Sequence, residues 1–292
     1  MKLCTFSHDG TTRIGVAVGD EVVDLSAAAP NLPSEMTAFL AAGDDALAAA
    51  RAAAEAGGHT LALDDVHLES PVLRPPKILA VGLNYADHVE EAGMEKPKHP
   101  MIFNKQSTSA HPPRDPFHMP KVSDKLDYEG ELGVVIGKFC RHVPKDRAHE
   151  VIAGYTVIND VSVRDWQIRV PTFTMGKSFD THCPMGPWIV TGDEVGDPHS
   201  LELKTWVNGD LRQHSNTKHL IFDCFTLVEH LSTAFTLEPG DVISTGTPSG
   251  VGIGFKPPKF LVSGDVVRIS IDGIGELENV VVDEPAETTR IG

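Results

Sequence analysis

The strongest constraint in this chain is a pair of acids at the head of an apolar run, Asp127-Tyr128-Glu129-Gly130-Glu131-Leu132-Gly133-Val134-Val135-Ile136-Gly137. Val134 to Ile136 read as a strand entering a core. Side chains alternate along a strand, so Glu129 and Glu131 share one face about 7 Å apart. Two carboxylates placed this way repel each other and lose hydration unless a cation sits between them. A second apolar run, Gly154-Tyr155-Thr156-Val157-Ile158-Asn159-Asp160, ends on a third acid. Glu129, Glu131 and Asp160, with no Cys or His among them, make a hard oxygen donor set for Mg2+, Mn2+ or Ca2+ rather than zinc. Three protein ligands leave open positions for water or a chelating substrate. An isolated E-x-E is more often the solvated face of a strand, so the surrounding residues decide.

Composition narrows the partners. The chain has 292 residues and a formal charge of -16, which argues against nucleic acid or an anionic membrane surface as partner. Ser7, His8 and Asp9 interrupt the start, and no run of about 18 apolar residues exists, so a cytoplasmic location is expected. Cys4, Cys140, Cys183 and Cys224 are scattered without C-x-x-C spacing and read as free thiols.

Along the chain, Thr12 to Leu25 alternates about a Gly19-Asp20 turn, a hairpin that opens a small N-terminal unit. The alanine-rich stretch from Ser34 to Ala56, broken at Gly43-Asp44, predicts two short helices. Gly57-Gly58 and the prolines from Pro71 to Pro76 mark a boundary, giving a small α/β domain over 1–70 and a main domain over 71–292. The main domain is strand-rich and lacks helix–strand alternation, which makes a doubly wound sheet unsuitable. Lys77 to Gly82 reads as a buried strand, and a helix from Ala86 brings His88 and Glu91 within touching distance three residues apart. A carboxylate on one imidazole nitrogen fixes the tautomer and raises the basicity of the other, which suits a general base for water. The proline-bearing segment from His111 to Lys125 reads as an ordered loop over the site. Arg164-Asp165 reads as an ion pair bracing the acids, and Lys105 as a guide for an anionic substrate or a solvated lysine. Phe222 to Phe235 has helical spacing, while Val242 to Ser244 is a strand leading into Gly246-Thr247-Pro248-Ser249-Gly250. That loop lacks the Lys-Ser/Thr of a phosphate loop, and its small residues permit close backbone approach.

Five ordered motifs resemble the fumarylacetoacetate hydrolase family: Gly82-Leu83-Asn84-Tyr85-Ala86-Asp87-His88, Tyr128-Glu129-Gly130-Glu131-Leu132, Asn159 to Gln167, Gly176 to Thr181, and Ser244 to Gly252. The likeness covers residues 75 to 283 and departs at Gln106, where family members often carry proline. It implies an α+β, strand-rich catalytic fold, a mixed β-roll or sandwich-like domain with a small N-terminal domain, usually as a homodimer. It also implies metal ligation by Glu129, Glu131 and Asp160, with Mg2+ or Mn2+ as cofactor and Ca2+ a substitute. Catalytic roles fall on His88, Glu91 and Lys177, and substrate contacts on Tyr85, Lys105, Gln167 and Thr247. The implied substrate is a small 2-oxo or 2,4-dioxo acid. The implied reaction is hydrolysis of a carbon–carbon bond to pyruvate and a carboxylic acid, with oxaloacetate-type decarboxylation or 2-hydroxydienoate isomerisation as the alternative on the same enolate.

Overall fold

The computed structural model describes residues 1–91, 93, 95–289 and 291. Its centre is the antiparallel pair Gly130–Ile136 and Ile152–Asn159, with Glu131 opposite Ile158 and Gly130 opposite Asn159. Every residue of Gly130–Ile136 is buried, as a strand covered on both faces must be. The strand Val242–Ser244 flanks this pair on one side and Cys183–Val190 on the other. Beyond Val242–Ser244 the sheet continues in parallel to Ile78–Gly82 and then antiparallel to Met101–Lys105. On the opposite side Lys2–His8 pairs with Cys183–Val190, so the N-terminal strands extend the same 12-stranded sheet. Main-chain pairing therefore crosses the expected boundary at 70/71.

A second sheet of five strands runs Asp210–Asn216, Glu202–Val207, Val266–Ile271, Gly275–Asp283, Phe117–Met119. It packs against the first through Leu203, Ile269 and Leu277, which share one core with Leu132, Val134 and Val157. The helix Cys224–Ala234 closes that core with Leu227, Val228 and Leu231, and Asp223 caps it by accepting from Thr226 N. The opposite face of the large sheet carries a second core, where Phe39 and Leu40 of the helix Met36–Ala41 pack with Ile14, Val16 and Ile158. The result is a strand-rich α+β fold of two stacked sheets, with the expected hairpin turn at Gly19-Asp20 and the two alanine-rich helices in place. Among the described residues no helix is long and apolar enough to cross a membrane.

One expectation is corrected here. The segment 111–125 does not roof the site, and none of its residues lines the cavity beside Glu129 and Glu131. Phe117–Met119 is instead the edge of the second sheet, paired in parallel with Gly275–Asp283, and buried Phe117 anchors it in the core. Its prolines belong to the crossing from one sheet to the other.

Close stacking of the sheets explains the glycine between the two glutamates. A Cβ at Gly130 would lie 2.3 Å from Thr205 Oγ1 and 3.1 Å from Ile269 Cγ2. Gly130→Ala is expected to destabilise the fold by about 1–3 kcal/mol through overpacking. Thermal denaturation of the metal-free protein would show this as a lower Tm, and adding Thr205→Ala should recover part of the loss.

Candidate active site

The acids converge because two strand ends meet. Asp160 N donates to Glu129 O (2.9 Å), placing Glu129 and Asp160 side by side at the end of the central ladder. One carboxylate oxygen from each of Glu129, Glu131 and Asp160 lies within 4.8 Å of the others, and all three residues are buried. Glu131 Oε2 is held by the Ser244 hydroxyl (2.6 Å) and by Gly246 N (2.7 Å). Gly246 adopts φ +104, a left-handed conformation that glycine takes without strain.

Buried cations answer the acids. Lys177, at the end of the short helix Thr174–Lys177, places Nζ 2.6 Å from Glu129 Oε2 and 2.8 Å from Asp160 Oδ2. Arg164 Nη1 lies 2.6 Å from Glu129 Oε1, and Lys105 Nζ is 2.7 Å from Asp160 Oδ1. Burial alone would pull Lys177 down, but the Asp160 and Glu129 carboxylates outweigh it and hold the ammonium charged. Burial would likewise raise Glu129, yet Lys177 and Arg164 keep it below the usual carboxylate range. Glu131 goes the other way, pushed well up by burial and then by Asp160 and Glu129. A hard divalent cation fits this donor set: all ligand atoms are oxygen, and the added positive charge would relieve the repulsion that raises Glu131.

The cavity beside the acids measures about 170 Å³ and is walled by two kinds of residue. Glu129, Glu131, Arg164, Gln167, Lys177, Thr247 and His88 form its polar side, and Val81, Leu83, Met101, Phe103 and Phe173 its apolar side. Leu83 (φ 54) and Phe173 (φ 61) both hold left-handed backbone on this wall, a conformation that non-glycine residues adopt at some cost. His88 and Glu91 stand on the helix Ala86–Glu91 with Nδ1 3.0 Å from Oε2, as the spacing predicts. With Nδ1 engaged by the carboxylate, Nε2 is left as the acceptor. Burial raises Glu91, but hydrogen bonds from His88 and Gly250 N reverse this and leave it below its ordinary value.

The structure brings His88, Glu91, Lys177, Gln167 and Thr247 together with the three acids. Gln167 Oε1 accepts from Arg164 Nη1 (2.9 Å), and Thr247 Oγ1 accepts from Gln213 Nε2 (2.7 Å). Two expected substrate contacts lie elsewhere. Lys105 is wholly buried behind Asp160 and does not line the cavity; its ammonium is tied to Asp160, Val161 O and Lys177 O. Tyr85 is also fully buried outside the cavity lining, because its ring enters the core where the helix Ala86–Glu91 begins. Arg164 does not pair with Asp165. Its Nε meets Asp127 Oδ2 at 2.8 Å, while Asp165 accepts from the Ser123 hydroxyl and faces Arg169. Sequence reasoning missed Asp127, although its place two residues before Glu129 was the available signal, and it missed that Arg164 reaches the cavity. Arg164 Nη2 is buried without a hydrogen-bond partner among the described residues, a donor available to a ligand oxygen.

Comparison with known proteins agrees with this geometry. The domain described as fumarylacetoacetate (FAA) hydrolase C-terminal matches residues 77–282. The chain belongs to the fumarylacetoacetate hydrolase family. It is 43% identical over 288 residues to a mitochondrial oxaloacetate tautomerase from Xenopus laevis, covering 97% of this chain and 90% of that one. The crystal structure of maleylpyruvate hydrolase from Sphingobium sp. SYK-6, in complex with manganese(II) and pyruvate, matches with TM-score 0.83 and 36% identity over 98% of this chain and 100% of that one. A 5-carboxymethyl-2-hydroxymuconate delta-isomerase from Mycobacterium smegmatis matches with TM-score 0.78 and 39% identity, with 98% and 100% coverage. The relatives of this family member thus include a hydrolase, an isomerase and a tautomerase.

Cation binding can be read without any substrate. Mn2+ at about 100 times its Kd should stabilise the fold by about 2.7 kcal/mol, seen as a rise in Tm. Glu131→Ala or Asp160→Ala should weaken Mn2+ binding in titration calorimetry by roughly 100-fold or more and remove the rise in Tm.

Proposed function

We propose that the protein is a divalent-metal-dependent hydrolase that cleaves a carbon–carbon bond of a 2,4-dioxo acid, releasing pyruvate and a carboxylic acid. The observation that carries the reading is the His88–Glu91 pair, joined at 3.0 Å and facing the same cavity as the buried acids and Lys177. Charge balance supports the substrate class. Around the acids, the carboxylates of Asp127, Glu129, Glu131 and Asp160 meet the cations of Lys105, Arg164 and Lys177, leaving one negative charge in excess. A divalent cation reverses that to one positive charge, which a bound carboxylate monoanion neutralises. The donor set suits Mg2+ or Mn2+, with Ca2+ able to occupy it.

A bound divalent cation would supply Lewis-acid polarisation of the 2-oxo group. The chain's own residues supply the rest. His88 takes a proton from water through Nε2 while Glu91 stabilises the imidazolium that forms. The hydroxyl adds to the distal carbonyl, the bond between that carbon and the methylene breaks, and its electron pair enters the enolate of pyruvate. Lys177 and the free Nη2 of Arg164 stabilise the developing negative oxygen. Protonation of the enolate carbon completes pyruvate, and the apolar wall of Val81, Met101 and Phe103 limits water around the reacting carbons.

A second reading, oxaloacetate tautomerisation, is favoured by the 43% identity over 97% of the chain to the Xenopus laevis enzyme. It uses the same enolate and the same base, but moves a proton without adding water. Decarboxylation and dienoate isomerisation are further outlets of that enolate. We read the protein as cytoplasmic and as a homodimer; the exposed Ile168, Val170 and Met175 support the second of these.

The test is turnover of acylpyruvates, oxaloacetate and a 2-hydroxydienoate with Mn2+ or Mg2+, repeated with chelator. Metal-dependent release of pyruvate and a carboxylic acid is expected, with His88→Ala lowering kcat/KM by on the order of 10²–10⁴ while Mn2+ affinity is kept. Enol–keto conversion of oxaloacetate with no pyruvate from any acylpyruvate would give the assignment to the tautomerase.

A further inference from the structure

The proposed reaction gives no role to the two residues immediately before the first metal-ligand candidate, yet both are tied by hydrogen bonds to the loop 249–254. Asp127 is completely buried, and both of its carboxylate oxygens are doubly used. Oδ1 accepts from Tyr128 N (2.9 Å) and Gly252 N (2.7 Å), and Oδ2 from Ile253 N (2.9 Å) and Arg164 Nε (2.8 Å). Arg164 in turn holds Glu129 Oε1. The Tyr128 hydroxyl donates to Gly250 O (2.8 Å), and Gly250 N donates to Glu91 Oε1 (2.9 Å). Glu91 then meets His88 through its other oxygen. A continuous path of hydrogen bonds thus joins the strand bearing Glu129 and Glu131 to the helix bearing the dyad, through the loop 249–254.

The glycines of that loop are spaced to admit the carboxylates. A Cβ on Gly252 would stand 2.5 Å from Asp127 Oδ1, and one on Gly254 would stand 2.6 Å from the Glu91 carboxyl carbon. Neither Asp127 nor Tyr128 lines the cavity. A loop anchor needs only amide donors, whereas Asp127 also fixes the guanidinium that orients Glu129. Among the described residues, two ties of the helix Ala86–Glu91 to the rest of the chain, Gly250 N to Glu91 and the Ser249 hydroxyl to Asp87 (3.1 Å), go to this loop. Where the loop sits therefore decides where His88 stands.

We infer that Asp127 and Tyr128 are positioning residues that hold the acid triad and the His88–Glu91 dyad in one frame, acting through the glycine loop 249–254. The inference rests on the reading of His88 and Glu91 as the base. Misplacing a general base by about 1 Å can cost on the order of 100-fold in rate, so a rigid frame between the two halves has a kinetic consequence.

The test uses Tyr128→Phe, which removes one hydroxyl and keeps the ring packed, with Asp127→Asn as the harsher change. Each is made alone and combined with Glu91→Gln in the full chain loaded with Mn2+, with acetylpyruvate and oxaloacetate as probe substrates. Tyr128→Phe should lower kcat roughly tenfold with KM and Mn2+ affinity unchanged. Added to Glu91→Gln it should cause no further loss, because the carboxylate whose placement the path controls is already gone. In metal-free protein, hydrogen exchange over residues 86–91 should quicken in Tyr128→Phe while residues 152–159 keep their protection. Equal losses with and without Glu91→Gln, or unchanged exchange over 86–91, overturn the inference and leave the dyad's role standing. A Glu91→Gln enzyme with full kcat overturns both. If Asp127→Asn fails to fold, Tyr128→Phe and the exchange measurement decide.

Discussion

Repulsion among buried carboxylates is the constraint on which the site depends. Glu129, Glu131 and Asp160 sit where water cannot screen them, so each needs positive charge or amide dipoles within hydrogen-bond reach. The chain supplies these from well-separated segments: Lys105 at the end of Met101–Lys105, Arg164 just after Asp160, Lys177 at the end of Thr174–Lys177, and Gly246 N beyond Val242–Ser244. Only a fold that gathers those ends can hold the triad, and the large sheet does so by placing Val242–Ser244 directly beside Gly130–Ile136. Ion pairs of this kind are poor sources of stability, since desolvation offsets most of their attraction. Their value lies in fixing the direction of each carboxylate before a cation arrives.

The same logic explains where the chain uses glycine. Gly130 lets the strand of the acids press against Thr205 in the second sheet, and Gly252 and Gly254 let carboxylates from two other segments press against one loop. At Gly252 and Gly254 the missing Cβ lets a carboxylate reach the loop that orients it, and at Gly130 it lets the two sheets close on each other. The sheet stacking and the site geometry are therefore one problem, because the face of Gly130–Ile136 that packs on the second sheet fixes which way Glu129 and Glu131 point.

Most of the local elements were legible in the sequence because each rests on a local pattern. The alternation around Gly19-Asp20, the alanine tract broken at Gly43-Asp44 and the apolar run after Glu131 each declare their own conformation, and the three-residue spacing of His88 and Glu91 declares their contact. What stayed hidden depends on where distant segments meet. Lys105 is indistinguishable in sequence from a solvated lysine until Met101–Lys105 is seen to end behind Asp160. Arg164 sits next to Asp165, but the short helix Arg164–Gln167 turns adjacent side chains apart, so the guanidinium finds Asp127 instead. The segment 111–125 has the composition of a lid, and only its pairing with Gly275–Asp283 reveals an edge strand. Asp127 was overlooked because a carboxylate neutralised by amides and an arginine leaves no mark in composition.

The relatives carry out hydrolysis, isomerisation and tautomerisation, so a shared fold alone does not select the reaction. All three pass through an enolate, which on the proposed reading the triad and Lys177 would stabilise. They differ in what must stand over the enolate carbons: hydrolysis requires a water held against the base, whereas tautomerisation requires the base to reach carbon directly. In this chain the proposed base, His88, rides on the helix Ala86–Glu91, and it lines the cavity with Leu83 and Phe173, whose backbones are both left-handed. The acids are fixed by strand pairing and buried ion pairs, while the helix carrying His88 is tied to the glycine loop through Asp87 and Glu91. Small displacements are cheap there and expensive around the acids. On the proposed reading, choice among these reactions falls to the seating of the helix Ala86–Glu91, with the metal-ligand candidates common to every outcome.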